Sequence, residues 1–118
     1  MKIKRYLTIT LLCIPVFALA KLTVKGLTTP SPGVLCDSYL CASGHEGVSK
    51  TLTAKFLGQK TAEELFSDPQ FNPAQFTFSN GIYCDINEKV CRKDRYYGPD
   101  GKPSGQISAQ YTAILFGE

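Results

Sequence analysis

Histidine and tryptophan are almost missing from this sequence, which has 1 His and no Trp among 118 residues. His45 lies between Gly44 and Glu46 in a predicted loop. A histidine general base needs a nucleophile and an orienting acid beside it, and sequence neighbours on a loop such as Ser43 and Glu46 rarely supply them. We therefore expect a solvated loop histidine and a protein that is not an enzyme. The sequence predicts no catalytic residue and no cofactor.

Positive and negative charges balance over most of the chain. The 13 Lys and Arg residues exceed the 10 Asp and Glu residues by three, and three of these cations, Lys2, Lys4 and Arg5, lie at the N-terminus. Residues 21–118 therefore carry no net charge. Nucleic-acid binding requires a basic footprint that releases counterions, and surface attachment to anionic lipid requires a polybasic segment. We expect neither.

Residues 1–20 have the three parts of a secretory signal peptide: a basic start, an apolar run from Leu7 to Leu19, and small residues at Ala18 and Ala20. The run is shorter than the about 20 residues of a membrane span, so a retained anchor is the less favoured alternative. Cys13 follows Leu12, where lipid modification needs a small residue, and would leave with the signal. We predict cleavage near Ala20 and a periplasmic or secreted protein.

Four cysteines remain after cleavage: Cys36, Cys41, Cys84 and Cys91. In an exported domain they predict two disulfides, with three alternative pairings. The close spacings of zinc knuckles and of redox-active thiol pairs are absent. A hairpin with a loop at 86–89 would bring Cys84 and Cys91 within about 4.5 Å, which a disulfide can span. The short spacing also favours Cys36–Cys41, while the crossed pairings stay open.

Helical patterns occupy the first half of the exported chain. Residues 21–34 contain two prolines and a glycine and predict an extended N-terminal tether. An apolar repeat of four predicts a helix that begins near Val48 and ends at Gly58. A capping box from Thr61 to Glu64 predicts a second helix through Phe66.

Strand patterns follow. One strand carries Phe76, Phe78, Ile82 and Cys84 on one face, with a bulge at Asn80-Gly81; a return strand covers 90–97 and a third covers 107–115. Residues 35–118 are thus predicted to form a single α+β domain, with short helices followed by a three-stranded antiparallel meander. One conflict stays open, because pairing Cys84 with Cys91 places Ile82 opposite Lys93.

Two acidic groups have structural explanations. Glu63 and Glu64 could be paired carboxylates of a glycosidase, but the first turn of a helix favours a capping role. Asp85, Asn87, Glu88 and Asp94 offer oxygen ligands without the spacing of a calcium loop, which favours a polar hairpin tip. No metal site is predicted.

The candidate binding segment combines cations with aromatic rings: Arg92, Lys93, Arg95, Tyr96 and Tyr97. Arg and Tyr are common at the energetic centres of interfaces. The alternative is an exposed strand whose charges only protect its edge.

The cysteine pattern lies within a longer recognisable one. It comprises SPGVLCD at 31–37, Tyr39, Cys41, GVS at 47–49, KFLG at 55–58, FTFSNGIYCD at 76–85 and CRKDRY at 91–96, and it closes with DGK at 100–102 and Leu115-Phe116. The sequence resembles the small exported bacterial proteins grouped as Fels-1 prophage protein-like, the YcgJ family. The resemblance implies a periplasmic four-cysteine fold and supplies no catalytic residues.

The function we expect is binding. A non-enzymatic interaction module would contact an envelope protein or a cell-wall component through residues 92–97, and one version inhibits lytic enzymes, by analogy with small disulfide-bonded lysozyme inhibitors. The alternatives are a small cell-wall hydrolase and an accessory subunit of an envelope assembly. A free edge at 107–116 would favour the assembly role.

Overall fold

A computed structural model describes residues 22–24, without their side chains, and residues 26–117. The predicted signal peptide and Cys13 lie outside the described residues. The elements in chain order are β1 (Leu22–Val24), β2 (Leu27–Thr29), β3 (Val34–Cys36), β4 (Cys41–Ser43), β5 (Gly47–Val48), α1 (Lys50–Leu57), α2 (Gln59–Phe66), β6 (Gln75–Thr77), β7 (Tyr83–Asp85), β8 (Val90–Arg92) and α3 (Ala109–Phe116).

The strands form two antiparallel sheets, in the orders β1-β2-β3-β4-β5 and β6-β7-β8. Together with three short helices they confirm the α+β class. Thr28 pairs with Cys36, and Leu27 is fully buried. Residues 27–34 therefore pack as part of the fold instead of forming a free tether.

Both disulfides are local, which confirms the favoured pairing. Cys36 and Cys41 are direct partners across β3 and β4, with Cα atoms 4.1 Å apart. Cys84 and Cys91 are partners across β7 and β8, with Cα atoms 4.0 Å apart. The predicted four-residue loop at 86–89 is also present.

The predicted third strand at 107–115 is wrong, because α3 occupies most of it. Ser108 caps this helix by accepting a hydrogen bond from Tyr111 N at 3.3 Å. Tyr111 and Leu115, four residues apart, are the buried positions. The apolar alternation also satisfied a helical period, and the cap and the core contact decide between the two.

The meander is present but is built from other segments. The predicted bulge at Asn80-Gly81 is a turn between two strands, in which Gly81 N donates to Phe78 O at 2.9 Å and Gly81 has a φ of 94°. This turn divides the single predicted strand into two strands, β6 and β7. The ladder between β7 and β8 ends at the pair Tyr83–Arg92, so Ile82 and Lys93 lie beyond the paired strands and border one open groove.

Gly58 separates the first two helices as predicted, and α1 begins at Lys50, two residues after Val48. Ser49 caps α1 by accepting from Leu52 N at 3.1 Å, and Val48 belongs to β5. Gly58, with a φ of 107°, also precedes α2 directly, so this helix starts at Gln59. The predicted capping box at Thr61 is therefore wrong, since Thr61 already lies inside the helix.

The chain contains two copies of one structural unit, which the sequence predictions missed. Residues 29–37 (TPSPGVLCD) align with 77–85 (TFSNGIYCD), and residues 49–58 (SKTLTAKFLG) align with 108–117 (SAQYTAILFG). Each copy has a strand, a glycine turn, a disulfide hairpin and a serine-capped helix. We call residues 27–58 the first repeat and residues 75–117 the second repeat.

The same hydrogen bonds join hairpin to helix in both repeats. In the first, Thr53 Oγ1 accepts from Cys41 N at 3.0 Å and donates to Cys41 O at 3.4 Å. In the second, Thr112 Oγ1 does so with Cys91, at 2.9 and 3.3 Å. We call this arrangement the cysteine–threonine clamp. It satisfies both backbone groups of a buried cysteine, which would otherwise be costly to leave unpaired.

The repeats share one core. Its buried members include Leu27, Leu35 and Ala42 of the first repeat and Phe76, Phe78, Tyr111 and Leu115 of the second. A buried carboxylate adds a polar link: Asp37 Oδ1 accepts from Tyr39 N and Leu40 N, while Oδ2 accepts from Ser79 N at 2.7 Å. Asp37 thus fixes its own hairpin against the glycine turn of the second repeat.

Replacing Thr53 with valine should test the clamp. Thr53→Val keeps the shape but leaves Cys41 N buried without an acceptor, so we expect the free energy of unfolding to fall by about 1–3 kcal/mol. Urea unfolding of the oxidised protein measures this loss. Thr51→Val, an exposed position in the same helix, is the matched control and should change stability by less than about 0.5 kcal/mol. Equal losses in the two variants would contradict the clamp.

Candidate interaction site

The predicted binding segment overlaps an insertion that the second repeat has and the first repeat lacks. Three residues separate Ser43 from Gly47 in the first repeat, whereas twelve separate Lys93 from the equivalent Gln106. The equivalence rests on hydrogen bonding, since Ser43 pairs with Gly47 and Lys93 N donates to Gln106 O at 2.7 Å. We call residues 94–105 the insertion loop. The first repeat closes the same unit without these nine additional residues.

The side chain of Arg92 contacts the last residue of the insertion loop. Its guanidinium donates from Nη1 to Gly105 O at 2.9 Å and forms an ion pair with Glu88 at 3.6 Å. The side chain is only 17% exposed. Of the five predicted binding residues, Arg92 is therefore the one that the fold itself uses.

The insertion loop is a small hairpin held by its own backbone. Ser104 N donates to Tyr96 O at 2.9 Å, Gly98 N donates to Lys102 O at 2.8 Å, and Tyr97 pairs with Pro103. At its base Asp94 accepts from Tyr96 N, and the backbone of Asp94 lies so close to Gly105 that a Cβ there would overlap it. The loop therefore has a defined shape, which lowers the entropy cost of binding.

The other four predicted residues are exposed together. Tyr96 and Tyr97 are 66% and 57% exposed, and Lys93 and Arg95 are exposed as well. Neither cation forms an ion pair within the part of the chain that the structure describes. Lys93 lies between two open grooves, one beside Ile82, Ile107 and Tyr111 and the other beside Ser79, Arg95 and Tyr96.

Tyr97 is tied to the core through Tyr83, a residue that sequence reasoning did not select. Burial raises the pKa of Tyr83 to about 12, and a hydrogen bond between the hydroxyl groups of Tyr83 and Tyr97 adds to the rise. Repulsion from Asp85 and Glu88 contributes further. The hydroxyl of Tyr97 is thereby held by Tyr83, while 57% of the residue stays exposed to solvent.

The remaining sequence candidates are dispersed. His45 is exposed, and the hydroxyl of Ser43 accepts from Glu46 N at 3.2 Å, so Ser43 closes a turn. Glu63 lies in the middle of α2, where it accepts from Gln59 Nε2 at 3.1 Å. The expectation that Glu63 and Glu64 occupy the first turn is wrong, because α2 begins two residues before Thr61.

The oxygen-rich hairpin tip is organised by Asp85. Its Oδ1 accepts from Asn87 N at 2.8 Å and from Glu88 N at 3.3 Å, and Oδ2 accepts from Gln75 Nε2 at 3.0 Å. Asp85 thus repeats the role of Asp37. In the described residues, no group of three or more His, Cys, Asp and Glu side chains is placed to hold a metal ion.

The burial of Asp37 was also not predicted from the sequence. Ile107, the first residue of the free edge that the sequence offered for an assembly role, is 54% exposed and directly precedes Ser108, the cap of α3. The repeated Cys-Asp pair, at 36–37 and 84–85, was the sequence signal for the aspartate role. Among residues 22–24 and 26–117, no helix has both the length and the apolar character needed to cross a membrane.

Ionisation of Tyr83 should weaken the fold at high pH. Because its pKa rises from 10.0 to about 12 on folding, its contribution is complete below pH 10 and is lost as the pH rises towards 12. The loss should reach at most about 3 kcal/mol. Urea unfolding between pH 10 and pH 12 should show a flatter profile for Tyr83→Phe than for the parent. Tyr39→Phe, at an exposed position, should retain the parental slope, and identical profiles for all three would contradict the assignment.

Comparison with known proteins identifies the family of this chain. A family model described as YcgJ protein matches residues 27–116, which span both repeats. The chain is 50% identical to Uncharacterized protein YcgJ of Escherichia coli (strain K12) over 91 residues, covering 77% of this chain and 74% of that protein. No solved structure matches. The extent of both sequence matches shows that the chain belongs to the YcgJ family.

Proposed function

We propose that this protein is an exported, non-enzymatic binding module that recognises a protein or cell-wall component of the bacterial envelope. The insertion loop, together with Lys93, is the recognition surface. The observation that carries the proposal is the difference between the repeats. The same unit closes with three residues in the first repeat, whereas the second presents two exposed tyrosines on a hairpin. Beside them are Lys93 and Arg95, whose charges form no ion pair within residues 26–117.

Stability does not account for this surface. Exposed side chains such as Arg95 and Tyr96 add little to folding, and within the described residues neither of these side chains forms a hydrogen bond or ion pair with the shared unit. At interfaces the same residue types contribute most of the binding energy. Tyr buries a large area with few rotatable bonds, and Arg offers several hydrogen-bond donors. The preformed shape of the loop also favours recognition of a surface over a small ligand.

The location is proposed on two grounds. Disulfides persist in oxidising compartments, and this small fold contains two of them. The N-terminal 20 residues have the pattern of a cleaved signal peptide. A periplasmic site of action would place the loop among envelope proteins and cell-wall polymers.

Cross-linking in the envelope tests the proposal. The exported protein, tagged at its C-terminus, is cross-linked in living cells, and its partners are identified by mass spectrometry. We expect Arg95→Ala/Tyr96→Ala to reduce capture of a specific partner about tenfold or more, as loss of an interface centre does. Arg92 stays unchanged, since its removal would disturb the loop itself.

The matched control removes one aromatic ring and one cation elsewhere. Tyr39→Ala/Lys60→Ala changes two exposed residues outside the insertion loop and should leave capture unchanged. The proposal fails if the loop variant captures the same partners as the parent. The inhibitor version has its own measurement: micromolar protein should lower lysozyme activity, and unchanged activity would exclude that version.

A further inference from the structure

The second repeat has a sheet edge that the first repeat covers. In the first repeat, Val48 pairs with Ala42, and Val48 N donates outward to Pro73 O at 2.9 Å. Val48 is consequently 3% exposed. The equivalent residue of the second repeat is Ile107, which pairs with Arg92 and is 54% exposed.

The backbone of Ile107 faces away from β8. Its neighbours make the bonds to that strand, since Lys93 N donates to Gln106 O at 2.7 Å and Ser108 N donates to Cys91 O at 2.8 Å. In an antiparallel ladder the residue between two such bonds turns its amide and carbonyl to the other side. Within the described chain, Ile107 N donates to no backbone carbonyl.

A turn like the one at Pro73, which covers Val48, would not fit against Ile107 in the same way. Gly47 has a φ of 74°, and a Cβ at Gly47 would overlap Pro73 O. The equivalent residue is Gln106, which has a Cβ and no positive φ. The edge of the second repeat therefore suits a segment at ordinary strand spacing.

The surroundings define what such a segment must carry. An open groove of about 530 Å³ lies beside Ile107, with Ile82 and Tyr111 in its wall and Lys93 at its border. Apolar side chains fit against the isoleucines, and a carboxylate complements Lys93, whose charge is not paired within residues 26–117.

We propose that the edge at Ile107 receives an extended, acidic segment of a partner polypeptide. The segment pairs with the backbone of Ile107, places an apolar side chain in the groove and directs a carboxylate to Lys93. This β-augmentation names the partner chemistry for the binding role proposed above and rests on that role. The insertion loop would then contact the body of the same partner.

Two synthetic peptides test the edge. In one, valine alternates with glutamate; in the other, lysine replaces each glutamate. Titrated into the ¹⁵N-labelled oxidised protein at millimolar concentration, the glutamate peptide should shift the amide signals of Gln106, Ile107 and Lys93. The lysine peptide should leave them unchanged. Equal effects of the two peptides, no shifts, or shifts centred elsewhere would overturn the proposal.

Variants separate backbone pairing from charge. Ile107→Pro removes the outward amide and should weaken the glutamate peptide about tenfold, as expected for loss of one hydrogen bond at a small interface. Lys93→Gln should weaken it about threefold. Ile107→Thr retains the amide and is the control for altered packing; it should bind within about threefold of the parent. Equal weakening in the proline and threonine variants would contradict strand pairing.

The peptide titration and the cross-linking experiment together distinguish a failure of the strand-pairing inference from a failure of the binding role. Arg95→Ala/Tyr96→Ala should not affect the peptide, since neither residue borders the edge groove. If the peptide fails while that variant loses its cross-linked partner, the binding role stands and the strand mode is wrong. If the peptide binds but partner capture is independent of Arg95 and Tyr96, the loop-based role is wrong.

Discussion

The cysteine–threonine clamp is the interaction on which the rest of this structure depends. A disulfide holds each hairpin closed, but it does not place the hairpin relative to a helix. The threonine hydroxyl does so, because it bonds both the amide and the carbonyl of the second cysteine. The serine cap on the same helix adds a third bond to that cysteine, at 2.9 Å in one repeat and 2.8 Å in the other. The second cysteine of each hairpin thus joins the strand, the disulfide and the helix.

Duplication of this unit explains how a small chain combines stability with variation. Two copies share one core, and Asp37 ties the first hairpin to the second glycine turn. A scaffold that is closed in this way tolerates an insertion at its surface, since loop closure costs little per added residue. The second repeat has such an insertion in the place where the first has a short turn. The uncovered edge at Ile107 lies near this insertion, since Lys93 lines both the groove beside Ile107 and the groove beside Arg95 and Tyr96.

The sequence predicted best those features that depend on residues close together in the chain. The disulfide pairing followed from spacing, because residues that face each other across a short hairpin are already within bonding reach. The α+β class, the break at Gly58 and the exposure of Lys93, Arg95, Tyr96 and Tyr97 followed in the same way. Residues 107–115 were misassigned because their apolar positions satisfy both periods, and only the contacts of Tyr111 and Leu115 with the core favour the helix.

The sequence by itself favoured the local crosslinks, placed the helix break at Gly58 and named the candidate recognition residues, since each depends on a few neighbouring positions. It also contained the repeat, visible as the Cys-Asp pairs and the two serine-capped helix segments. Only the tertiary structure decided which strands join which sheet, that Leu27 and Val34 are buried in the core, and that Val48 is covered while Ile107 is not. These outcomes depend on segments far apart in the chain, such as Pro73 against Val48, and no local pattern specifies such contacts.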